Sequence, residues 1–294
     1  MTRLPGFLAT TCVFIAISPM AVIAATSTDD NQLARGEYVL RISGCSHCHT
    51  EDDGEQLAGG RALPTPFGTF YTPNISSHKT VGIGAWSAEQ FRQALHQGVA
   101  PNGSDYYPAF PYTSYTRISA GDADALYTYI LSLPASEQAN REHDLAWFLR
   151  WRFAAKVWKW LFFSAGEFQQ QSGQSAQWNR GAYIAEAMGH CSECHTPRNL
   201  FGALREDMAY AGNPQGPEDE LVPNITPHKA TGIGRWSRDE LQSFLQFGEL
   251  PDGEYAAGSM DPVIEGLNHL TPEDRGALVD YLLALQPIEN RVGD

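Results

Sequence analysis

The clearest helical spacing of apolar residues occurs twice, once near the end of each half of the chain. Apolar side chains recur there every three or four positions, which predicts a helix with one buried face. Each segment opens on a residue typical of a helix N-cap, Ser119 in the first copy and Thr271 in the second. No alternation of apolar and polar residues runs far enough to predict a sheet. The apolar positions are Leu126, Tyr129, Ile130 and Leu133 in the first copy and Leu278, Tyr281, Leu282 and Leu285 in the second.

Two further pairs of segments show helical order. The pattern Ser-x-x-Gln or Ser-x-x-Glu, at residues 87–90 and 237–240, is a capping box that predicts the start of a helix. Small apolar-periodic segments at residues 36–43 and 179–188 predict another helix ahead of each box. The chain is therefore predicted to be all-α, with short helices joined by loops rich in glycine and proline.

The sequence also repeats itself once. Matching loop residues of the two copies are 150 positions apart, and the two copies of a Cys-x-x-Cys-His motif are 146 apart. So regular a repeat predicts two homologous domains, which we place at residues 26–135 and 178–294, with a linker at 136–177. The matching residues are Asn74-Ile75, His78-Lys79, Gly82-Ile83-Gly84, Trp86-Ser87 and Pro101-Asn-Gly103 in the first copy and Asn224-Ile225, His228-Lys229, Gly232-Ile233-Gly234, Trp236-Ser237 and Pro251-Asp-Gly253 in the second, preceded by Arg35-Gly36-x-Tyr38 and Arg180-Gly181-x-Tyr183.

Residues 1–25 are typical of an export signal. Arg3 gives a positive start, an uncharged apolar stretch follows it, and small residues precede a polar segment. We expect cleavage after Ala24 or Ala25 and a periplasmic mature chain; an uncleaved membrane anchor is the alternative. Cleavage removes Cys12 and leaves four cysteines in two pairs, so no odd thiol remains in an oxidising compartment.

The four remaining cysteines form two Cys-x-x-Cys-His motifs, the attachment signature of c-type haem. Two thiols one helical turn apart can add to the two vinyl groups of one porphyrin, and the following histidine then ligates the iron. A zinc site would bring both cysteine pairs to one ion without needing the histidines, and a thioredoxin-like motif would follow a strand. We therefore expect two covalently attached haem c groups. Their predicted ligands are Cys45, Cys48 and His49 for the first haem and Cys191, Cys194 and His195 for the second.

A methionine is placed to complete the second haem. Met260 lies 65 residues after His195, in a loop ahead of the last predicted helix, where a thioether can reach the free face of the iron as its sixth ligand. Met188 precedes the motif on the proximal side and Met208 lies in an inserted stretch, so both fit this role less well. The alternative is that Met260 only packs in the core.

The first haem lacks the corresponding methionine. Phe110 follows its Pro-x-Gly turn at the same distance as Met260 follows the second one, and no methionine lies between His49 and the end of the first domain. We expect a haem with His49 as its only strong protein ligand and with a lower potential than the second haem, because methionine ligation raises the potential. The alternative is a histidine as sixth ligand, for which His78 and His96, the latter on the predicted middle helix, are candidates.

The net negative charge of the chain restricts the class of molecule that it can bind. The chain has 20 basic and 34 acidic residues, a net charge of −14 and a pI near 5.0, which argues against nucleic acid and favours a basic protein partner. Residues 145–163 differ, since they hold four of the seven tryptophans, four basic residues and no acid between Leu145 and Phe163. A helix there, with residues 147, 151, 154, 158 and 161 on one stripe, would either contact a membrane or pack between the domains with its cations facing their acidic surfaces.

Taken together, these motifs resemble the dihaem cytochromes c of bacterial periplasms, and more closely the first two domains of the cytochrome subunit of membrane-associated alcohol and gluconate dehydrogenases. The resemblance implies two tandem class I cytochrome c domains. It also implies that the protein passes electrons from a dehydrogenase towards a quinone, another cytochrome or a terminal oxidase. Those subunits carry three haems, whereas this sequence has no third Cys-x-x-Cys-His motif. The matching pieces are Asn-Ile-(Thr/Ser)-x-His-Lys-x-x-Gly-Ile-Gly-x-Trp-Ser, Tyr107-Pro108-Ala109-Phe110-Pro111-Tyr112, Trp178-Asn179-Arg180-Gly181-Ala182-Tyr183 and Cys194-His195-Thr196-Pro197-Arg198-Asn199.

Two function classes remain open at this point. The chain has no nucleophile motif, phosphate loop or HExxH motif, which favours a non-catalytic electron carrier or an electron-transfer subunit. The alternative is an enzyme, such as a dihaem peroxidase or another oxidoreductase that acts at an open first haem.

Overall fold

The computed structural model describes residues 1–2 and 28–293, so the predicted export signal lies almost entirely outside the described residues. Within them, short helices follow in the same order in two halves, residues 28–135 and 176–293. No described helix is both long enough and apolar enough to cross a membrane. The helices are α1 (Thr28–Ile42), α2 (Cys45–Cys48), α3 (Ala88–Gln97), α4 (Tyr112–Tyr115), α5 (Ala120–Ser132), α6 (Phe153–Phe162), α7 (Ala176–Tyr183, continued by a π-helical turn at Ile184–Met188), α8 (Ser192–His195), α9 (Arg238–Phe247), α10 (Asp261–Leu267) and α11 (Pro272–Leu283), with 3₁₀ turns at Trp147–Leu149, Glu206–Met208, Pro217–Asp219 and Gly258–Met260.

The predicted helix starts are confirmed. The Ser87 side chain accepts a hydrogen bond from the backbone N–H of Gln90, and the Gln90 side chain accepts one from the backbone N–H of Ser87. Ser237 and Glu240 form the same capping box at α9, and Ser119 caps α5. These caps involve residues within a single turn, so the sequence is sufficient to locate them.

Each half is organised around a close crossing of its first and last helices. Helix α1 packs against α5, and α7 packs against α11. Gly36 lies at the first crossing, where an added Cβ would be 2.6 Å from the Cβ of Tyr129. At the second crossing, a Cβ on Gly181 would be 2.8 Å from the Cβ of Tyr281. Any side chain would push the helices apart, which explains the glycine of the repeated Arg-Gly-x-Tyr motif.

Both halves contribute to one continuous apolar core. Leu126 and Ile130 of α5 and Leu278 and Leu282 of α11 are at most 4% exposed, so these apolar positions predicted from the spacing are buried. Ile184, in the π-helical turn after α7, belongs to the same cluster. The halves therefore pack against each other through apolar surface.

The prediction of a purely all-α fold is wrong in one respect, because a small antiparallel sheet lies beside the first half. Strands β1 (Ala62–Thr65) and β2 (Gly68–Tyr71) form a hairpin, and β3 (Asp144–Leu145) pairs with β2. Strands of four and two residues are too short for an alternating pattern to show in the sequence. Gly68 makes room for β3, since its φ is 118° and a Cβ there would overlap the backbone of Asp144.

Helix α6 of the linker is held by both halves. Ala155 is buried in a small apolar cluster beside the sheet, and Lys159 forms a 2.6 Å ion pair with Asp105 of the first half. The indole nitrogen of Trp158 donates to the carbonyl oxygen of Phe201 in the second half, over 2.8 Å. The contact of Lys159 with Asp105 agrees with the predicted packing of linker cations against acidic surface.

The apolar stripe predicted along the linker is not buried. Trp147 and Trp151 are 73% and 71% exposed, and Leu161 is 55% exposed. Helix α6 begins only at Phe153, so both tryptophans precede it, on and just after a 3₁₀ turn. A common stripe at helical spacing requires one continuous α-helix through all five positions, and the segment does not form one.

Candidate haem-binding sites

Each Cys-x-x-Cys-His motif forms one helical turn after the first helix of its half. Gly44, with a left-handed φ of 63°, turns the chain between α1 and α2. Residues three apart on such a turn share one side, so the turn brings Cys45 and Cys48 together. These two cysteines form no disulfide, and neither do those of the second motif. Burial raises the pKa of the Cys45 and Cys191 thiols to about 12.

The histidine of each motif is oriented by a proline carbonyl group. His49 Nδ1 is 2.7 Å from the carbonyl oxygen of Pro73, and His195 Nδ1 is 2.8 Å from that of Pro223. Because a carbonyl only accepts, Nδ1 carries the proton and donates, and Nε2 keeps the lone pair that a metal ligand needs. Burial lowers the pKa of both imidazoles, so the neutral, ligating form is favoured.

Both prolines stand directly before the repeated Asn-Ile pair, and the asparagine anchors their loop. Asn74 Nδ2 donates to the carbonyl oxygen of Ser136 over 2.9 Å, and Asn224 Nδ2 donates to that of Ile288 over 2.8 Å. Each asparagine oxygen also accepts from the backbone N–H two residues later. The repeat thus holds the carbonyl that orients the histidine. This role of the asparagine was not predicted from the sequence, although the constant offset of 150 positions between the two Asn-Ile pairs was its signal.

The loop expected to carry the sixth ligand has the same register in both halves. Loops 99–105 and 249–255 are each closed by one antiparallel bridge between their end residues. Phe110 and Met260 each stand five residues after that bridge, so the two residues have the same register relative to their loops. Met260 ends a 3₁₀ turn and packs, partly buried, against the core. Its ligation of iron stays a prediction.

Phe110 is surrounded by tyrosine rings. The ring centroids of Tyr106, Tyr115 and Tyr112 lie 5.5, 5.7 and 6.3 Å from its own. A phenyl ring offers no lone pair to a metal, whereas a thioether does. The first half therefore presents an aromatic cluster where the second half presents a methionine.

The two histidines considered as alternative sixth ligands occupy different environments. His78 Nδ1 accepts from the backbone N–H groups of Thr80 and Val81, both at 3.2 Å, and His228 closes the same turn in the second half. His78 therefore has a structural role that both copies share. His96 lies on α3, where its Nε2 is buried without a hydrogen-bond partner in the described part of the chain.

The second motif packs against the first half through a buried carboxylate. Glu193, inside the motif, accepts hydrogen bonds from Thr113 and Ser114 of α4 at 2.6 and 2.9 Å. Arg198 forms a 2.7 Å ion pair with it. Burial alone would raise the pKa of Glu193, but the Arg198 charge and the hydroxyl donors outweigh burial and lower it. A charged side chain thus joins the two halves beside the second site.

Tyr115 connects the segments that lead into the two motifs. Its hydroxyl group donates over 2.8 Å to the carbonyl oxygen of Ser43, two residues before Cys45. Its ring lies 5.3 Å, centroid to centroid, from that of His190, which directly precedes Cys191. These segments are therefore neighbours, an arrangement that the sequence analysis did not predict.

Two reciprocal hydrogen-bonded triads, each of an arginine, an aspartate and a tyrosine, join the halves. In the first triad, Arg35 pairs with Asp122 of its own half at 2.6 Å. Tyr183 of the other half donates to the same carboxylate at 2.6 Å. Such an exchange of equivalent contacts is typical of approximate two-fold symmetry. The second triad exchanges the halves and consists of Arg180, Asp274 and Tyr38, with both contacts at 2.5 Å.

Comparison with known proteins identifies the family. The family model for cytochrome c matches residues 33–134. The chain is 37% identical over 263 residues to the dihaem cytochrome c-type protein of Cereibacter sphaeroides, and the alignment covers 88% of this chain and 87% of that protein. The chain therefore belongs to the cytochrome c family, whose members bind haem c covalently.

Cytochrome subunits of dehydrogenases are also similar to this chain, which confirms the resemblance inferred from the motifs. The chain is 38% identical over 274 residues to the gluconate 2-dehydrogenase cytochrome c subunit of Pantoea cypripedii, covering 90% of this chain and 62% of that subunit. It is 32% identical over 274 residues to the alcohol dehydrogenase (quinone) cytochrome c subunit of Gluconobacter oxydans, covering 90% of this chain and 57% of that subunit. The chain thus spans about three fifths of the length of these subunits.

The side chains of both motifs fit haem c. Each motif offers two free thiols at the ends of one helical turn and a neutral imidazole whose Nε2 is left for the iron. Within residues 28–293, no three His, Cys, Asp or Glu side chains are placed to hold a metal ion between them.

Proposed function

We propose that the protein is a periplasmic dihaem c-type cytochrome that transfers electrons from a dehydrogenase to a quinone, a cytochrome or a terminal oxidase. The observation that carries this proposal is the doubled arrangement in which Pro73 and Pro223 orient the histidines of two Cys-x-x-Cys-His motifs. The names of the relatives support it, since one is a dihaem cytochrome and others are subunits of gluconate and alcohol dehydrogenases.

The residues of the two motifs have distinct roles in this proposal. Bound haem c supplies one-electron redox chemistry. The hydrogen bonds to Pro73 and Pro223 keep each imidazole in the ligating tautomer and orientation. Met260 supplies the thioether for the second haem. The cysteines attach the haems and the histidines ligate them, in the sets Cys45, Cys48 and His49, and Cys191, Cys194 and His195.

The contacts between the halves serve electron transfer by holding the two sites at a constant separation. Glu193 and the two triads are buried or half-buried and charge-assisted, and hydrogen bonds of this kind are stronger than neutral ones. Tyr115 fills the space between the segments that lead into the motifs. We infer that the two haems move as one unit.

The proposal includes a location and a partner. An export signal at residues 1–25 and the Cys-x-x-Cys-His motifs favour the periplasm. A net charge of −14 favours a partner with a basic docking face. Residues 145–163 provide a peripheral contact with a membrane.

One observation favours a second candidate function, an oxidoreductase reaction at the first haem. Phe110 stands at the position of Met260 and is packed among three tyrosines. With no thioether at this position, a haem held by Cys45, Cys48 and His49 would lack a methionine ligand and could bind a small ligand such as peroxide.

Spectroscopy of the purified, haem-loaded protein tests both candidates. For a carrier, we expect two haem c groups per chain and a low-spin spectrum that carbon monoxide and peroxide leave unchanged. Cys45→Ala with Cys48→Ala, and Cys191→Ala with Cys194→Ala, should each remove one haem. Ligand binding and peroxide turnover at one haem would favour the second candidate. Fewer than two haems in the unmodified protein would contradict the dihaem assignment.

A further inference from the structure

Large apolar side chains are exposed together on the linker. Trp147, Trp151, Phe153 and Trp160, which we call the exposed aromatic surface, are each more than 70% exposed. They are concentrated in 14 residues of chain. Single exposed apolar residues are common, whereas a concentration of large ones is typical of an interaction site.

The second half extends this surface. Phe201 is stacked on Phe162 of α6, with ring centroids 5.9 Å apart, and its carbonyl oxygen accepts from the Trp158 indole. Phe201 and its neighbour Leu200 are 65% and 94% exposed. The apolar contact area is therefore built from two separate parts of the chain, which the fold holds together.

A cationic cavity lies beside the exposed aromatic surface. It is open and has a volume of about 510 Å³, and its charged lining consists of three arginines and Glu142. Burial lowers the pKa of the histidine in this lining, which favours its neutral form. Arg141 and Arg150 are only loosely paired, since each lies 3.9 Å from a carboxylate, that of Glu51 and that of Asp144. Trp147 and Trp151 are near neighbours in sequence of Arg150 and Arg152. The lining consists of Tyr107, Arg141, Glu142, His143, Leu145, Arg150 and Arg152.

We propose that this part of the protein docks on a membrane that contains anionic phospholipid. The exposed aromatic surface enters the interfacial region, and a lipid phosphate occupies the cationic cavity. Tryptophan is typical of the membrane interface, because its ring is apolar and its N–H is polar. Arginines beside it are attracted to the negative charge of the lipid surface.

Charge complementarity indicates that an anionic membrane is what binds to this surface. The whole chain has a net charge of −14, yet no acid lies between Leu145 and Phe163. A surface that is cationic on an otherwise acidic protein matches an anionic bilayer, while the remaining acidic surface stays away from it. The proposal rests on the proposed function for the location of the protein and for the peripheral membrane contact of residues 145–163, and it adds the class of lipid and the residues that bind it. It does not depend on electron transfer, because lipid binding needs none.

Co-sedimentation of the haem-loaded protein with vesicles tests the proposal. We use vesicles of phosphatidylcholine alone and of phosphatidylcholine mixed with phosphatidylglycerol, at low and high salt. We expect binding to the mixed vesicles that weakens with salt, because salt screens the arginines. Trp160→Ser should weaken this binding roughly tenfold, as expected for one large apolar side chain. Arg150→Gln with Arg152→Gln should remove the preference for anionic vesicles.

Phe247→Ser is the matched control, since Phe247 is 58% exposed on α9, outside the surface described above. This variant should bind vesicles as the unmodified protein does, and an unchanged haem spectrum shows that each variant is folded. A protein that stays in the supernatant with both vesicles overturns the proposal, as does equal weakening by Phe247→Ser and Trp160→Ser. If Trp160→Ser weakens binding to a redox partner but not to vesicles, the surface is a protein interface instead. Haem counts and spectra test the electron-transfer function separately.

Discussion

Replacing Gly36 by alanine perturbs the crossing of α1 and α5 without changing any charge. The added Cβ would lie 2.6 Å from the Cβ of Tyr129 and would overlap the carbonyl oxygen of Ala125, whereas ordinary contacts begin at 3.4 Å. The first of these atoms is a Cβ and the second a backbone oxygen, and neither moves when a side chain changes its rotamer. The helices must separate by roughly 0.8 Å to restore a normal distance to Tyr129, and by more than that to clear the carbonyl oxygen of Ala125, which is the closer of the two atoms.

The size of the effect follows from two opposing contributions. Overpacking of a close contact costs about 1–3 kcal/mol, while alanine in place of glycine inside a helix stabilises it by about 0.5–1 kcal/mol. Separation of the helices also weakens the packing of Leu126 in the core. We therefore expect Gly36→Ala to lower the free energy of unfolding by about 2 kcal/mol. Gly181→Ala should have a similar effect, because its Cβ would lie 2.8 Å from that of Tyr281.

Gly121→Ala is the matched control on α5. No atom lies within 4 Å of a Cβ added there, so this variant should keep its free energy of unfolding or gain up to about 1 kcal/mol. Urea unfolding followed by tryptophan fluorescence measures both variants, and an unchanged m value shows that the same surface is exposed on unfolding. If Gly36→Ala proved as stable as Gly121→Ala, the crossing would not depend on a missing side chain.

Three further predictions concern the proposed first haem and the triads. Phe110→Met should introduce the long-wavelength sulfur–iron band and raise the first haem's potential, because the loop shares the register of Met260; an unchanged ferric spectrum would show that the thioether does not reach the iron. Tyr183→Phe removes the 2.6 Å hydrogen bond to Asp122 and should lower the free energy of unfolding in urea by about 1–3 kcal/mol, and no loss would mean that the triad contributes nothing to stability. Burial alone would raise the pKa of Asp122 and Asp274, but their arginine and tyrosine partners lower both below the ordinary 3.8. The stability that these two carboxylates add is thus present above pH 3.8 and lost as the pH falls through their folded pKa values. On acidification, the Asp122→Asn variant should therefore lose less of its free energy of unfolding than the unmodified protein does. An equal loss in the two proteins would contradict this assignment.

The part of the site that the sequence determined by itself is local. The Cys-x-x-Cys-His motifs, the capping boxes at Ser87 and Ser237, and the buried positions of α5 and α11 involve residues within one or a few helical turns. Helix geometry sets the distances between such residues whatever the rest of the chain does. The position of Phe110 could also be counted from the sequence, because its loop and that of Met260 have equal length.

The partners of the site residues were decided by the tertiary structure. His49 is oriented by Pro73, 24 residues away, and Tyr38 reaches Asp274 in the other half. The small sheet forms only because β3 returns from the linker to β2. Each of these contacts depends on how helices cross and how the halves pack, and no periodicity along the chain contains that information.

The linker combines one feature that the sequence determines with another that only the tertiary structure decides. Its composition, with four tryptophans and no acid between Leu145 and Phe163, could be read directly from the sequence. The direction in which the tryptophans point could not, because it depends on where α6 begins and on which side of it meets the first half. Ala155 and Lys159 lie on the side of α6 that faces the first half. The small side chain of Ala155 allows the helix to approach closely, and the ammonium group of Lys159 forms an ion pair with Asp105. The large aromatic rings that do not fit there remain in contact with solvent.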